Sequence, residues 1–445
     1  MRAGRTIDRW EPDDPAFWEE TGARVARRNL TFSIFSEHLG FSIWTMWSVV
    51  TVAMTASRGF HFTVDQLFWL VSLPNLLGSL LRVPYTFMPA IIGGRTWTAV
   101  SAALLLIPTG LLSVALGDPD TPYWVFLAIS ATAGFGGGNF SSSMANITHF
   151  YPEKRQGWAL GLNAAGGNIG VSSVQLLVPA AIAVFGIMAA GLMWIPLIVA
   201  AAVCAWLSMN NLSGAKADVR EQLSVTRRAQ TWVMSVIYIG TFGSFIGYSS
   251  AFPLLIKTQF PETGAAGLAF LGALVGSLSR PLGGRLADRI GGARVTVAVF
   301  AGMGIGVYGV WQALSARSFA GFLAAFLFLF VVTGLGNGST YRMIPAIFRA
   351  RALRDAPAGV SREAVLAAAR RESSAALGLI GAVGALGGFL IPRSFGSSIA
   401  ATGGVGAALA GFVVFYAVCL GLTWWCYLRK RVAVAAVPSL AGAGV

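Results

Sequence analysis

Charge is scarce in this chain. Only 11% of its 445 residues are Asp, Glu, Lys or Arg, far below the soluble average, and 55% are hydrophobic. That balance excludes an ordinary water-soluble globule. Histidine and cysteine are scarcer still, at three each. His38, His61 and His149 are dispersed, and Cys204, Cys419 and Cys426 fall in apolar runs without metal-ligand spacing. No metal, cofactor or catalytic cluster is expected, which argues against a membrane enzyme. Acids number 18 against 32 bases, a net charge of +14. In a soluble protein that excess would suggest nucleic acid. Here membrane topology accounts for it, so the expected surroundings are a lipid bilayer and no nucleic acid.

Long apolar runs are what the chain has. Twelve are read, at about 29–54, 67–92, 96–116, 122–149, 157–180, 183–208, 230–256, 264–286, 294–314, 318–348, 374–393 and 403–428. Each is near or above the length a membrane span needs. The expectation is an all-α membrane protein, twelve transmembrane helices in two pseudo-symmetric six-helix lobes. A tail (1–28), one lobe (29–208), a linker (209–229), a second lobe (230–428) and a final tail (429–445) follow. A basic insert at 349–372 reads as a separate amphipathic helix capping the second lobe. The first 28 residues lack the apolar core of a signal peptide. With both termini on one side, that side carries nearly all loop Lys and Arg, including Lys216 and Arg220. The other side has only Arg58, Lys257, Arg317 and Arg393. The positive-inside rule then makes the termini cytoplasmic in a plasma (inner) membrane.

This sorting leaves Arg82, Arg280 and Arg342 as bases inside the membrane and Glu37 as the one acid. Buried ionisable residues are costly there and mark function by default. Arg82 and Arg280 are also echoes. Gly78-Ser-Leu-Leu-Arg82 and Gly276-Ser-Leu-Ser-Arg280 stand at one offset (280 minus 82, or 198), each eleven residues before a Gly-Gly pair. The same offset relates Gly136 to Gly334, Gly138 to Gly336, Asn139 to Asn337 and Phe150 to Phe348. A duplication of this kind is a transporter architecture. Arg342 lies close enough to the end of its helix to reach the interface. Glu37 falls about 10–12 Å inside the boundary at helical rise. It reads either as a vestibule carboxylate paired with His38 or a loop arginine, or as a protonatable coupling group.

A shifted offset pairs Gly161, Gly167 and Gly170 with Gly378, Gly384 and Gly387, whereas Asn163 and Asn168 occur only in the first half. An amide that breaks the symmetry reads as a ligand contact. Glycines here let helix backbones approach, so Ala164, Gly167 and Gly384 are taken to line a narrow cavity. Guanidinium forks match oxyanions bidentately at any working pH. With no membrane aspartate for a cation and few hydroxyls for a sugar, the expected substrate is a small anion of low charge.

Gly284-Arg-Leu-Ala-Asp-Arg-Ile-Gly-Gly-Ala-Arg294 resembles the loop motif of the major facilitator superfamily, which implies a latch at Asp288 and Arg289. Gly134–Asn146, Gly157–Gly170 and Ala376–Pro392, with Arg82 and Arg280, resemble its nitrate/nitrite porter (NarK-type) branch. The resemblance implies that Arg82 and Arg280 clamp nitrate or nitrite, that Asn168 and Tyr238 add polar contacts, and that Phe140 and Phe242 sandwich the planar anion. The chain departs from that family at Ala164-Ala165, where glycines are frequent. A functional monomer is the expectation, its two lobes rocking around a midplane site. Two buried cations favour loaded crossing and hence nitrate/nitrite exchange; proton symport through Glu37 with His38, or carriage of another small anion such as formate, are the alternatives.

Overall fold

A computed structural model describes residues 6–56, 59–214, 224–356 and 359–429. Arg58, Lys216, Arg220 and nearly all of the C-terminal tail lie outside the described residues.

Among the described residues, twelve longer helical segments follow in chain order. Ten are long and apolar enough to cross a membrane: α2 (Val64–Ile92), α3 (Gly94–Leu116), α5 (Glu153–Phe185), α6 (Ala189–Ser208), α7 (Ala229–Gln259), α8 (Ala265–Ile290), α9 (Gly292–Ser315), α10 (Phe319–Arg354), α11 (Arg362–Thr402) and α12 (Gly406–Leu428). The other two are interrupted. They are α1 (Ala23–Thr45 resuming as Trp47–Ala56) and α4 (Tyr123–Thr132 resuming as Gly134–Phe150). Both also carry polar residues in mid-helix, Glu37 and His38 in α1 and Asn139 with three serines in α4. That polarity marks them as helices facing protein rather than lipid.

Local chemistry sets the ends. Thr63 and Gln66 close a reciprocal capping box at the start of α2. Ser318 and Ser361 cap α10 and α11 through the amides of Gly321 and Ala364. The duplication is visible in the backbone: the sharp turns ending α2 and α8 are made by Gly93 (φ 91°) and Gly291 (φ 93°), conformations that favour glycine.

Two predicted boundaries are corrected. Helix α5 continues to Phe185, so α6 begins at Ala189. The insert is not a separate helix: α10 runs on to Arg354, and α11 starts at Arg362 and continues unbroken into the span. No breaker intervenes between Arg362 and the glycines of the span; the interruption falls at Gly359, with φ 87°. Glu372, on the extended α11, accepts from Arg228 at 2.5 Å and lies 3.9 Å from Arg351. It thereby ties the ends of three helices together.

Two compact units emerge. One comprises Met1–Ala217 with Ser249–Ala273, the other Asp218–Tyr248 with Leu274–Val445. Helix α7 is divided between them, and its second part is hydrogen-bonded within the first unit. Asn75 donates to Ser250 at 3.2 Å and Gln175 to the Ser249 carbonyl at 2.7 Å. The N-terminal segment is ordered against the same unit: Thr6–Ile7 (β1) pairs in parallel with Asn211–Leu212 (β2). Trp18, Val25, Ala26 and Leu30 then pack with Ile147, Phe150 and Tyr151 in a small apolar core.

Candidate functional site

In the first unit, Arg82 is wholly enclosed, at 0% exposure. Its Nε donates to the Gly137 carbonyl at 3.1 Å. Its guanidinium lies 4.8 Å from the ring centre of Phe140 and 5.2 Å from that of Trp44. Cation–π contacts out of water contribute up to about 2 kcal/mol, so this sandwich offsets part of the cost of burying the charge. The glycines make it possible. A Cβ on Gly137 would stand 2.7 Å from the Trp44 ring and 2.8 Å from the Gly78 Cα. Only bare backbone lets α1, α2 and α4 meet around the arginine. Trp44 is fixed in turn, donating its indole N–H to the Pro74 carbonyl at 2.9 Å.

Helix α5 presents two adjoining faces. Asn163, Gly167 and Gly170, spaced four and three apart, face α1. Asn163 donates to Glu37 at 2.7 Å, a Cβ on Gly167 would meet the same carboxylate, and Ser42 donates to the Gly170 carbonyl at 3.0 Å. Ala164 and Asn168 lie one position on, both buried. Neither amide atom of Asn168 has a hydrogen-bond partner among the described residues, and the same holds for Asn139 on α4. Buried amides left open are rare and call for a ligand or water. The two asymmetric asparagines therefore separate: Asn163 is used by the protein, and Asn168 is left available.

Glu37 is not in a vestibule. It is 1% exposed and accepts from Ser143 at 2.5 Å as well as from Asn163. Ser33 and Ser143 lie 2.9 Å apart. His38, expected beside it, turns its Nδ1 to the Gly166 carbonyl at 3.1 Å, as successive residues on a helix face different directions. Ser33, Ser36, Glu37, Thr98, Asn139 and Ser143 border a void of about 10 Å³, close to the room one water needs.

In the second unit, Arg280 is 9% exposed and its guanidinium lies 5.4 Å from the Tyr341 ring centre. Its Nη1 has no hydrogen-bond partner among the described residues. Tyr341 stands 6.5 Å from Tyr238, which stacks on Phe242 at 5.2 Å and 17°. Tyr238 donates its hydroxyl to Asn337 at 3.0 Å, so its polar tip already has a protein acceptor. A Cβ on Gly384 would collide with the Tyr238 ring. Phe242 sits in a π-helical turn, Ile239–Gly243, that resets the helix directly after Tyr238. At the end of α8, Asp288 accepts from Arg342 at 2.5 Å with both side chains exposed, whereas Arg289 is exposed and joins no ion pair among the described residues. The motif's acid thus pairs with Arg342 on α10.

Within each unit, then, the predicted residues group as Arg82 with Phe140, Glu37 with Gly167, and Tyr238 with Phe242 and Gly384. Sequence reasoning missed Trp44, Ser143 and Tyr341. Tyr341 alone left a clue, as the aromatic beside a membrane arginine.

A polytopic helical fold with one buried, aromatic-faced arginine in each of two repeats defines a membrane carrier. The chain belongs to the Major Facilitator Superfamily, whose family model matches residues 38–357, and within it to the nitrate/nitrite porter (NarK-type) family. It is 43% identical over 444 residues to the nitrate/nitrite transporter NarU of Escherichia coli K12, covering 95% of this chain and 96% of that protein. It is 36% identical to the probable nitrate/nitrite antiporter NarK2 of Thermus thermophilus, covering 96% and 97%. Among solved structures, a bacterial homologue of the lysosomal transporter Spinster, inward-facing and unoccupied, superposes with a TM-score of 0.66 at 15% identity, covering 90% of this chain and 96% of that one. The superfamily is one of transporters, not enzymes, and the chain is a multi-pass membrane protein.

Proposed function

We propose that the protein exchanges nitrate and nitrite across the plasma (inner) membrane by alternating access, as a monomer with both termini cytoplasmic. The observation that carries this reading is the matched pair Arg82 and Arg280, each buried with at least one aromatic ring against its guanidinium, in a chain 43% identical to a nitrate/nitrite transporter. Each guanidinium is assigned to anion binding, one in each repeat. Phe140 and Phe242 supply flat apolar faces to a planar ligand, and Asn168 contributes an amide that no group among the described residues uses. Ala164, Gly167 and Gly384 keep the backbone close. Asp288 and Arg342 form the latch at the cytoplasmic helix ends, with Arg289 beside it. Closing an empty site would bury two like charges, each costing several kcal/mol to desolvate. Loaded crossing, hence exchange, follows.

Proton-coupled nitrate symport is the second reading, and the burial of Glu37 against Ser143 and Asn163 supports it. A neutral carboxylic acid could retain that environment while the charged form carried the coupling.

Substrate class is tested by competition. Uptake of labelled nitrate into proteoliposomes should be suppressed by nitrite at comparable concentration and by formate only at far higher concentration. Equal suppression by formate would favour a general small-anion carrier over this one.

A further inference from the structure

At the end of the first unit that carries the N-terminal segment lies a cavity of about 340 Å³ lined by Trp18, Ala23, Arg27, Tyr151, Arg155 and Trp158. Nothing in the transport reading uses it. Its chemistry is consistent: two exposed arginines and three amphipathic aromatics. Trp18 and Tyr151 have ring centres 5.6 Å apart, Tyr151 and Trp158 6.3 Å, and the Arg155 guanidinium lies 5.6 Å from the Trp18 ring. Neither Arg27 nor Arg155 enters an ion pair among the described residues. Burial raises the Tyr151 hydroxyl above its ordinary range while the charge of Arg27 opposes that rise, so the arginine bears on the same space.

What lies beside the cavity indicates its occupant. Trp158 is 63% exposed and heads an outward apolar stripe along α5 through Leu162, Ile169 and Leu176, all exposed. Their spacing of four, seven and seven residues keeps them on one helix face. In a membrane protein an exposed apolar face of this kind suits contact with hydrocarbon. Tryptophan, tyrosine and arginine at its end are the side chains that settle at headgroup level, and basic pockets there bind anionic lipid headgroups.

We propose that this cavity holds the headgroup of one anionic phospholipid from the leaflet on the N-terminal side, its phosphate between Arg27 and Arg155 and an acyl chain along the α5 stripe. The N-terminal segment, through Trp18, becomes part of the lipid site. The proposal rests on the reading of the chain as a membrane protein and not on its substrate.

Native mass spectrometry of the full-length detergent-purified protein, titrated separately with phosphatidylglycerol, phosphatidylethanolamine and inorganic phosphate, tests it. Phosphatidylglycerol should bind selectively, and R27Q/R155Q should retain it roughly 30-fold less well. The charge-matched pair R24Q/R362Q, both exposed and outside the cavity, should retain it as the parent does, and W158A should also weaken it. Unchanged retention by R27Q/R155Q, an equal loss in R24Q/R362Q, or phosphate binding as tightly as the lipid would each overturn the proposal. Nitrate uptake by R27Q/R155Q in vesicles of neutral lipid, unchanged from the parent, verifies folding; failure of uptake in the parent itself would count against the transport reading and leave the lipid result standing.

Discussion

Arg82 and Arg280 occupy equivalent positions of a duplicated half, yet their surroundings differ. Arg82 is fully enclosed, held by a carbonyl of α4 and placed between two aromatic rings. Arg280 keeps 9% of its surface and has one ring close to its guanidinium among the described residues, that of Tyr341 at 5.4 Å. The sequence repeat accounts for where the charges stand, and their neighbours for how firmly each is held. The first unit thus surrounds its guanidinium with more protein contacts than the second.

The comparison breaks most directly at the arginines themselves. Arg82→Lys and Arg280→Lys should each reduce nitrate uptake roughly a hundredfold, about 3 kcal/mol, since an ammonium keeps the charge but not the fork. Only Arg82→Lys should also lower thermal stability appreciably, by about 1–2 kcal/mol, because it alone loses two ring faces and a carbonyl. Equal destabilisation by both would erase the distinction. Gly137→Ala should cost about 1–3 kcal/mol by forcing Trp44 and α2 away from α4. Gly161→Ala, where a Cβ meets nothing within 4 Å, should be neutral or slightly stabilising; melting curves in detergent report both. Glu37→Gln should leave nitrate/nitrite exchange within about threefold, since a glutamine oxygen can still accept from Ser143 and Asn163. A collapse of exchange in that variant would move weight to proton coupling. Smallest is Asp288→Asn: an exposed pair contributes at most about 1 kcal/mol to stability, so the melting temperature should hardly move.

Much of this architecture was legible because repetition is robust to local error. One offset related the two arginines and the glycines of α4 and α10, and the backbone repeats it at Gly93 and Gly291. The rest depended on partners remote in sequence. Trp44 meets Arg82 only after α1 and α2 have packed, and a tryptophan in an apolar helix carries no mark of that use. Glu37 was legible as a buried acid, but its partners come from α4 and α5, so its neighbour His38 was the wrong candidate. The π-helical turn at Ile239–Gly243 rotates Phe242 relative to Tyr238, and its two glycines, Gly240 and Gly243, do not set it apart in a chain whose helices carry glycine throughout. The extended α11 was misread because a change in charge looked like a change of element, whereas the helix itself meets no breaker.

Counterflow in proteoliposomes tests the central claim most directly. Labelled nitrate should enter vesicles preloaded with nitrite and scarcely enter vesicles lacking it, with the rate unaffected by an imposed inward proton gradient. Nitrate entry into nitrite-free vesicles, accelerated by that gradient, would contradict exchange on two buried arginines.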